Sequence, residues 1–349
     1  ANSGIVHAGY DPKPGTNKAK YNVEGSKAYP RWANELNFPY ENNASLVLAF
    51  SNEEMQAVCD LYERGIENGV ERLSIIDRDK VLKLEPKVSP EVQGALYAES
   101  SGICDPYQVA LAAIENAVNN GAKVLLNHSV KEIGISKNYD MWECTCEDGS
   151  TYKANSLINA AGVFSDEINN MVSEDKFTIT PRKGEYILYD THIGDSFKRT
   201  LFQTPTAVGK GILVSPTIHG NLFVGPNSIS QESKTDKSTV LYDLNNIVAQ
   251  AKKTWPKASM LGAITNFAGL RSTGDRGDFV IGQADDAPGF FNIACFDSPG
   301  LTSAPAVAED ISTQVAEYLK ADKNKNFDSY REKVPNFREL SSDEQRDLI

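Results

Sequence analysis

Apolar and polar positions along the chain follow two periods, and the balance between them changes near its middle. Ser51-Asn52-Glu53-Glu54 has the form of a capping box, with Ser51 as N-cap and Glu54 three residues on. The helix it opens is predicted to reach about Gly69. Asp77 caps a short helix that ends near Glu85-Pro86. Asp105-Pro106 places an N-cap before a proline at the first helical position. Beyond it Tyr107, Ala110, Leu111, Ile114, Ala117 and Val118 keep helical spacing up to a stop at Gly121. Residues 122–126 then read as a short apolar strand. Residues 141–146 alternate, Asp148-Gly149 turns and 151–161 returns, which predicts a hairpin or meander. A helix over 164–171 follows Ala160-Ala161-Gly162.

The second half is richer in strands. They are predicted at 184–190, 200–203, 211–216, 222–225, 264–273, 279–282 and 290–296, with His219-Gly220-Asn221 as a turn. One amphipathic helix interrupts them, carrying Val240, Leu241, Leu244, Ile247, Val248, Ala251 and Trp255 on one stripe. A last helix starts near Thr302 and runs to about Leu319. The pattern predicts an α+β protein of two interleaved regions. One comprises 1–50, 100–175 and 269–320; the other comprises 51–99 and 176–268 and carries an antiparallel sheet. A charged segment, 321–349, closes the chain.

Composition narrows the function. The 349 residues suit two domains, and 40% apolar with 23% charged residues excludes wholesale disorder. Lys plus Arg number 35 against 47 Asp plus Glu, a net charge of −12. Such a chain is a poor general binder of nucleic acid or anionic membrane, although a local basic pocket remains open to it. No apolar run approaches the roughly 18 residues of a membrane span, and no signal-peptide pattern opens the chain. The five cysteines are odd in number and lack framework spacing, which points to reduced thiols and a cytoplasmic protein. The chain starts at Ala1 directly in a dense segment and ends in a charged, apolar-poor one, so a fragment or processed chain is expected.

No single motif is self-sufficient. There is no G-x-G-x-x-G, Walker loop, H-E-x-x-H or paired C-x-x-C. Cys144 and Cys146 share a strand face, which is too few ligands for a metal. Four glycine-marked segments stand out instead. In Ser3-Gly4-Ile5-Val6-His7-Ala8-Gly9, glycines that allow close approach to a flat ligand bracket a histidine suited to proton transfer. Leu157-Ile158-Asn159-Ala160-Ala161-Gly162 and Asp297-Ser298-Pro299-Gly300-Leu301-Thr302-Ser303-Ala304 each end a strand and start a helix, where free N–H groups suit anionic or carbonyl-bearing ligands. Arg182-Lys183-Gly184-Glu185-Tyr186 and Gly269-Leu270-Arg271 set cations beside glycines at strand positions, and arginine captures carboxylate or phosphate. Each has a bland reading alone: a structural histidine, ordinary strand-to-helix turns, solvated surface charge.

Together, and with Lys13-Pro14-Gly15, Ser101-Gly102-Ile103 and Val224-Gly225-Pro226-Asn227, these segments run from the first residue to about 320 in the order seen in a known family. The chain resembles the FAD-dependent D-amino-acid-oxidase-like (DAO) oxidoreductase superfamily, in the branch of L-2-hydroxyglutarate oxidases and FAD-linked glycerol-3-phosphate dehydrogenases. The resemblance implies a DAO-like flavoprotein body. Its cofactor-binding region would be 1–50, 100–175 and 269–320, and its substrate-binding region 51–99 and 176–268. The N-terminal βαβ unit with the glycine turn that cradles the pyrophosphate has no counterpart here, and neither does the [2Fe-2S] domain of some relatives. That makes FAD retention by this chain doubtful and the chain look truncated at both ends.

The resemblance further implies oxidation of a small anionic secondary alcohol, glycerol 3-phosphate or L-2-hydroxyglutarate, by hydride transfer to flavin N5. His7 would be the base. Arg271 and Lys183 would anchor the anion, with Tyr10 and Tyr186 orienting it. Ser3, Gly4, Val130, Ala161, Gly162, Gly300, Leu301 and Thr302 would bind the cofactor. An electron-acceptor protein or a [2Fe-2S] domain is an expected partner. The competing expectation is an inactive fragment that serves only as a folded binding module.

Overall fold

A computed structural model describes residues 2–136, 141–205, 211–332, 335, 337 and 340–347. Its largest element is a nine-stranded mixed sheet. From one edge the order is Ile229–Ser230, Ile179–Tyr189, Leu222–Gly225, Leu213–Pro216, Thr200–Gln203, Ser45–Ala49, Gly94–Ala98 and Leu73–Asp77, with Ala263–Gly274 also paired along Ile179–Tyr189. All pairs are antiparallel except Thr200–Gln203 with Ser45–Ala49. The helix Leu241–Ala251 lays Leu244, Ile247, Val248 and Ala251 on this sheet, where they join Ile187, Tyr189, Val214 and Val224 in one core. The predicted antiparallel sheet is therefore present, but it is wider than the sequence pattern indicated. It takes in Ser45–Ala49, and Ala263–Gly274 runs unbroken across the boundary placed at 268/269.

The remaining strands form smaller sheets. Ile5–Val6 and Tyr40–Glu41 flank Gly102–Cys104. Val130–Ile135, Trp142–Cys146 and Thr151–Ala154 make an antiparallel meander. Leu157–Asn159 pairs in parallel with Phe290–Ala294, which pairs in turn with Val280–Gln283. The predicted return strand over 151–161 is thus two strands in different sheets, and the strand expected at 122–126 is irregular, with Leu126 76% exposed. An apolar run by itself does not say which sheet, if any, takes it up.

Local caps placed the helices well. Ser51 accepts from Glu54 N–H, Asp77 from Lys80 N–H and Asp105 from Tyr107 and Gln108 N–H, as their positions predicted. One long helix, Asn17–Leu36, has no counterpart in the sequence reading. Gly25 and Pro30 lie inside it and disguise it. It packs tightly on the closing helix Gly300–Leu319: a Cβ on Gly25 would stand 2.0 Å from Thr302 O, and Tyr29 Oη donates to Leu301 O at 2.7 Å. In the charged segment after 320, Arg331 is buried against Glu115 and the Leu36 and Asn37 carbonyls. Residues 333–334, 336, 338–339 and 348–349 of that segment lie outside the described residues. No helix among the described residues is long and apolar enough to cross a membrane.

Asp105 joins two parts of the fold. It caps Pro106–Asn119 and also accepts from His219 Nε2 at 2.9 Å, across to the turn before Leu222–Gly225. Burial alone would raise its pKa, but the bonds from His219, Gln108 and Tyr107 outweigh it and hold the carboxyl below the ordinary aspartate value. The stabilisation is therefore complete above about pH 4 and fades as pH falls through the depressed value. Asp105→Ala is expected to lower unfolding free energy by about 1–2 kcal/mol near neutrality, the usual cost of a lost cap. Urea midpoints of variant and wild type should converge in strong acid; a gap that persists there would place the effect elsewhere.

Candidate active site

Strand alternation decides which side chains meet. Along the antiparallel pair Ile179–Tyr189 and Ala263–Gly274, Arg182 stands opposite Arg271, Gly184 opposite Gly269 and Tyr186 opposite Phe267. Directly opposite residues share a face of a sheet. This face walls a cavity of about 690 Å³, to which Arg182, Tyr186 and Arg271 contribute together with Ser3 and His7. The Tyr186 and Phe267 rings stack at 4.9 Å. Gly184 provides the space for the guanidinium: a Cβ there would lie 2.6 Å from Arg271 Nη2. Both Arg271 Nη atoms lie 3.5 Å from the Asn227 carbonyl oxygen. Burial raises the Tyr186 pKa, against the pull of Arg271 and Ser3, so its hydroxyl stays protonated at neutral pH.

Lys183, expected beside Arg271, is on the reverse face. It pairs with Leu270 in the register, and its Nζ donates to Ser238 O at 2.9 Å and lies 3.7 Å from Glu185 Oε1. A one-residue step along a strand turns a side chain to the other side. Behind the cavity wall, Glu185 also accepts from Asn227 Nδ2 and Val240 N–H, while Asn227 Oδ1 accepts from Glu185 N–H. The Lys183–Glu185 pair therefore supports the residue whose carbonyl faces Arg271. The cation that this strand turns into the cavity is Arg182, which the sequence reading named in its motif but set aside in favour of Lys183. Counting alternate residues back from Tyr186 through Gly184 was the signal that would have found it.

The opposite wall is built around a helix start. Gly300, Leu301 and Thr302 line the cavity at the first turn of Gly300–Leu319. The N-cap Pro299 offers no side-chain acceptor, and no hydrogen bond from Leu301 or Thr302 N–H is made among the described residues. Thr302 Oγ1 instead accepts from His7 N–H at 3.0 Å, and Asn22 Nδ2 donates to His7 O at 2.7 Å. His7 is thereby fixed through its backbone from both sides, with its ring 5.7 Å from that of Phe202. Gly4 precedes it at φ +69°, and a Cβ there would stand 2.3 Å from Cys104 O, so the chain reaches the cavity only through glycine.

The other expected site residues lie elsewhere. Tyr10 is 6% exposed in the core, and burial pushes its hydroxyl pKa well up; it lines a small recess beside His7 and not the main cavity. Val130 starts the meander, and Ala161 and Gly162 lie exposed after Leu157–Asn159, all outside the cavity. Seven of the expected residues share it: Ser3, His7, Tyr186, Arg271, Gly300, Leu301 and Thr302.

The fit to a flavin rests on two observations. The volume suits a flat ring system with a small substrate. The unpaired N–H groups at the helix start suit the carbonyl side of such a ring.

Lys183 and Glu185 are 5% and 0% exposed, so Lys183→Met alone leaves a buried carboxylate without its cation. It is expected to cost about 3–5 kcal/mol, with much of that recovered in the double variant Lys183→Met/Glu185→Leu. Denaturant unfolding measures both, and a single variant as stable as wild type would remove the pair from this supporting role.

Comparison with known proteins gives one consistent family. The family described as FAD dependent oxidoreductase (DAO) matches residues 1–314. A glycerol 3-phosphate dehydrogenase of Caloramator mitchellensis is 44% identical over 352 residues, covering 100% of this chain and 72% of that protein. A glycerol 3-phosphate oxidase of Mycoplasma genitalium is 35% identical, covering 88% of this chain and 82% of that one. Among solved structures, the dithionite-reduced L-alpha-glycerophosphate oxidase of Mycoplasma pneumoniae with FAD bound superposes with a TM-score of 0.88 at 28% identity, covering 96% of this chain and 88% of that one.

Proposed function

The chain belongs to the FAD dependent oxidoreductase (DAO) family, and from that premise we propose that it oxidises glycerol 3-phosphate at its secondary alcohol. The observation that carries this reading is the convergence of His7, Arg271, Tyr186 and the open helix start at Gly300 on one cavity. FAD, when bound, supplies the two-electron acceptor for the substrate C–H bond. The chain's residues do the rest. Arg271 binds the anionic end of the substrate, and its fork of donors fixes that end's orientation. Tyr186 donates its hydroxyl proton in a hydrogen bond toward the same end. His7, held by Thr302 and Asn22, takes the hydroxyl proton on a neutral imidazole nitrogen as the alcohol becomes a ketone. Leu301 and Thr302, at the helix start lining the cavity, would hold the carbonyl side of the cofactor ring. Ser3 borders the same cavity. Half-buried Val130 and the exposed Ala161 and Gly162, outside the cavity, would serve the remainder of the cofactor.

Lys183 and Tyr10 have no direct part in this reading. L-2-hydroxyglutarate is the competing substrate, since arginine serves carboxylate as well as phosphate. The electron acceptor is a separate protein or domain. The reaction belongs in the cytoplasm, where the five cysteines, all free, stay reduced.

Activity of the flavin-loaded enzyme with the two substrates tests the reading: turnover of glycerol 3-phosphate at a kcat/KM well above that of L-2-hydroxyglutarate is expected, and the reverse order would overturn it. In the same enzyme His7→Asn should lower kcat by about 10²–10⁴-fold and flatten the acid limb of the pH profile, because only neutral imidazole accepts the proton. A variant that loses flavin but keeps its pH profile would make His7 a packing residue instead. Arg271→Ala should raise KM and lower kcat together, for a loss of about 2–4 kcal/mol in transition-state binding. Unchanged kinetics with both substrates would remove Arg271 from the site.

A further inference from the structure

Among the described residues the cavity wall carries the cations Lys18, Arg182 and Arg271, and Arg182 has no part in the reaction as proposed. It stands in register opposite Arg271 on the neighbouring strand, where side chains lie about 4.5–5.5 Å apart at Cβ. Like charges in that relation repel. Neither guanidinium has a carboxylate ion-pair partner among the described residues. Arg271 bonds with Tyr186 and lies 3.5 Å from the Asn227 carbonyl oxygen, and Arg182 Nε is shielded from solvent with no hydrogen-bond partner among the described residues. Three acidic residues border the cavity, Asp11, Asp243 and Asp297; Asp297 is taken by Lys18 at 2.7 Å, and none of the three pairs with Arg182 or Arg271 among the described residues. A protein of net charge −12 thus sets two arginines side by side, and neither has a carboxylate partner among the described residues. Gly184, two register pairs along and facing the same side, leaves room for the Arg271 guanidinium.

We propose that Arg182 and Arg271 form a two-arginine clamp for a phosphate dianion, and that Arg182 is the residue that makes the site prefer a phosphate ester to a carboxylate. This rests on the reading of the cavity as a substrate site. The argument is one of charge and donor count. A carboxylate brings one negative charge and two oxygens, which a single bidentate arginine satisfies. A phosphate monoester brings close to two charges and three terminal oxygens above about pH 6. It can occupy two forks at once, and it relieves the repulsion between them. Repulsion that goes unrelieved in the ligand-free protein is a cost kept for binding, as at other functional sites that trade stability for activity.

The test uses the flavin-loaded full chain with methyl phosphate and acetate as probes, read by calorimetry and by competition with substrate. Wild type should bind methyl phosphate competitively, and more tightly as its second proton leaves. Arg182→Gln should weaken methyl phosphate by about 10–100-fold while moving acetate less than about threefold, whereas Arg271→Gln should weaken both. Flavin content should stay at the wild-type level. The ligand-free thermal midpoint of Arg182→Gln should hold or rise, because the change removes a repulsion; a merely structural arginine would lower it. If that variant does not fold, Arg182→Lys, which keeps the charge but not the fork, should give an intermediate loss for methyl phosphate alone. Methyl phosphate binding unchanged in Arg182→Gln, no saturable binding to wild type, or loss of flavin from the variant would each overturn the clamp. Wild type that binds methyl phosphate through both arginines yet does not oxidise glycerol 3-phosphate would leave the clamp standing and overturn the proposed reaction instead.

Discussion

The register between Ile179–Tyr189 and Ala263–Gly274 is the constraint on which the site depends. It extends over eleven paired positions, with an irregularity only at Leu188/Tyr189. Within that ladder a shift of one residue would exchange Arg182, Gly184 and Tyr186 for Lys183 and Glu185 on the cavity face. The site would lose its aromatic wall and one guanidinium together. The reverse face resists such a shift, because Lys183 and Glu185 are buried there and tied to Ser238, Val240 and Asn227. A slip would bring those charges out of their hydrogen bonds and bury apolar positions against polar partners. The short motif Arg182-Lys183-Gly184-Glu185-Tyr186 therefore works on two sides of one sheet: alternate residues face the ligand, and the residues between them hold the register.

The second wall depends on a close approach of helices. Gly25 lets Asn17–Leu36 lie against the first turn of Gly300–Leu319, and Tyr29 binds the carbonyl of Leu301. The segment from Ser3 to His7 is then fixed between them, with His7 N–H on Thr302 and the His7 carbonyl on Asn22. Residues almost 300 positions apart in sequence thus define the base and the open helix start as one unit. A histidine placed this way is positioned through its backbone on both sides.

Charge is distributed with the same division of labour. The surface is acidic overall, and the cations Lys18, Lys183, Lys234 and Arg199 are matched to carboxylates in the structure. The two arginines of the cavity are the contrast. Their juxtaposition is unfavourable in the ligand-free molecule, and it is tolerated because the surrounding ladder fixes both strands firmly.

The sequence by itself determined what depends on neighbours in the chain. Ser51, Asp77 and Asp105 marked helix starts because a cap acts over three residues, and glycine-bracketed segments marked Ser3, His7, Arg271 and the turn at Gly300 because close approach and positive φ are local demands. With the order of those segments, they were enough to indicate a flavin-binding body. Tertiary structure alone decided what depends on the partner across a gap. It split 151–161 between two sheets, left 122–126 without a strand, and made a helix of 17–36 despite Gly25 and Pro30, because burial against Gly300–Leu319 outweighs weak propensity. It also sent Tyr10 into the core and Lys183 behind the wall, and brought Arg182 to Arg271. Sequence reports that a cation lies near a glycine on a strand; which face it takes is fixed only by hydrogen-bonded register with a strand about ninety residues away, since alternation has two phases and the local pattern is compatible with both.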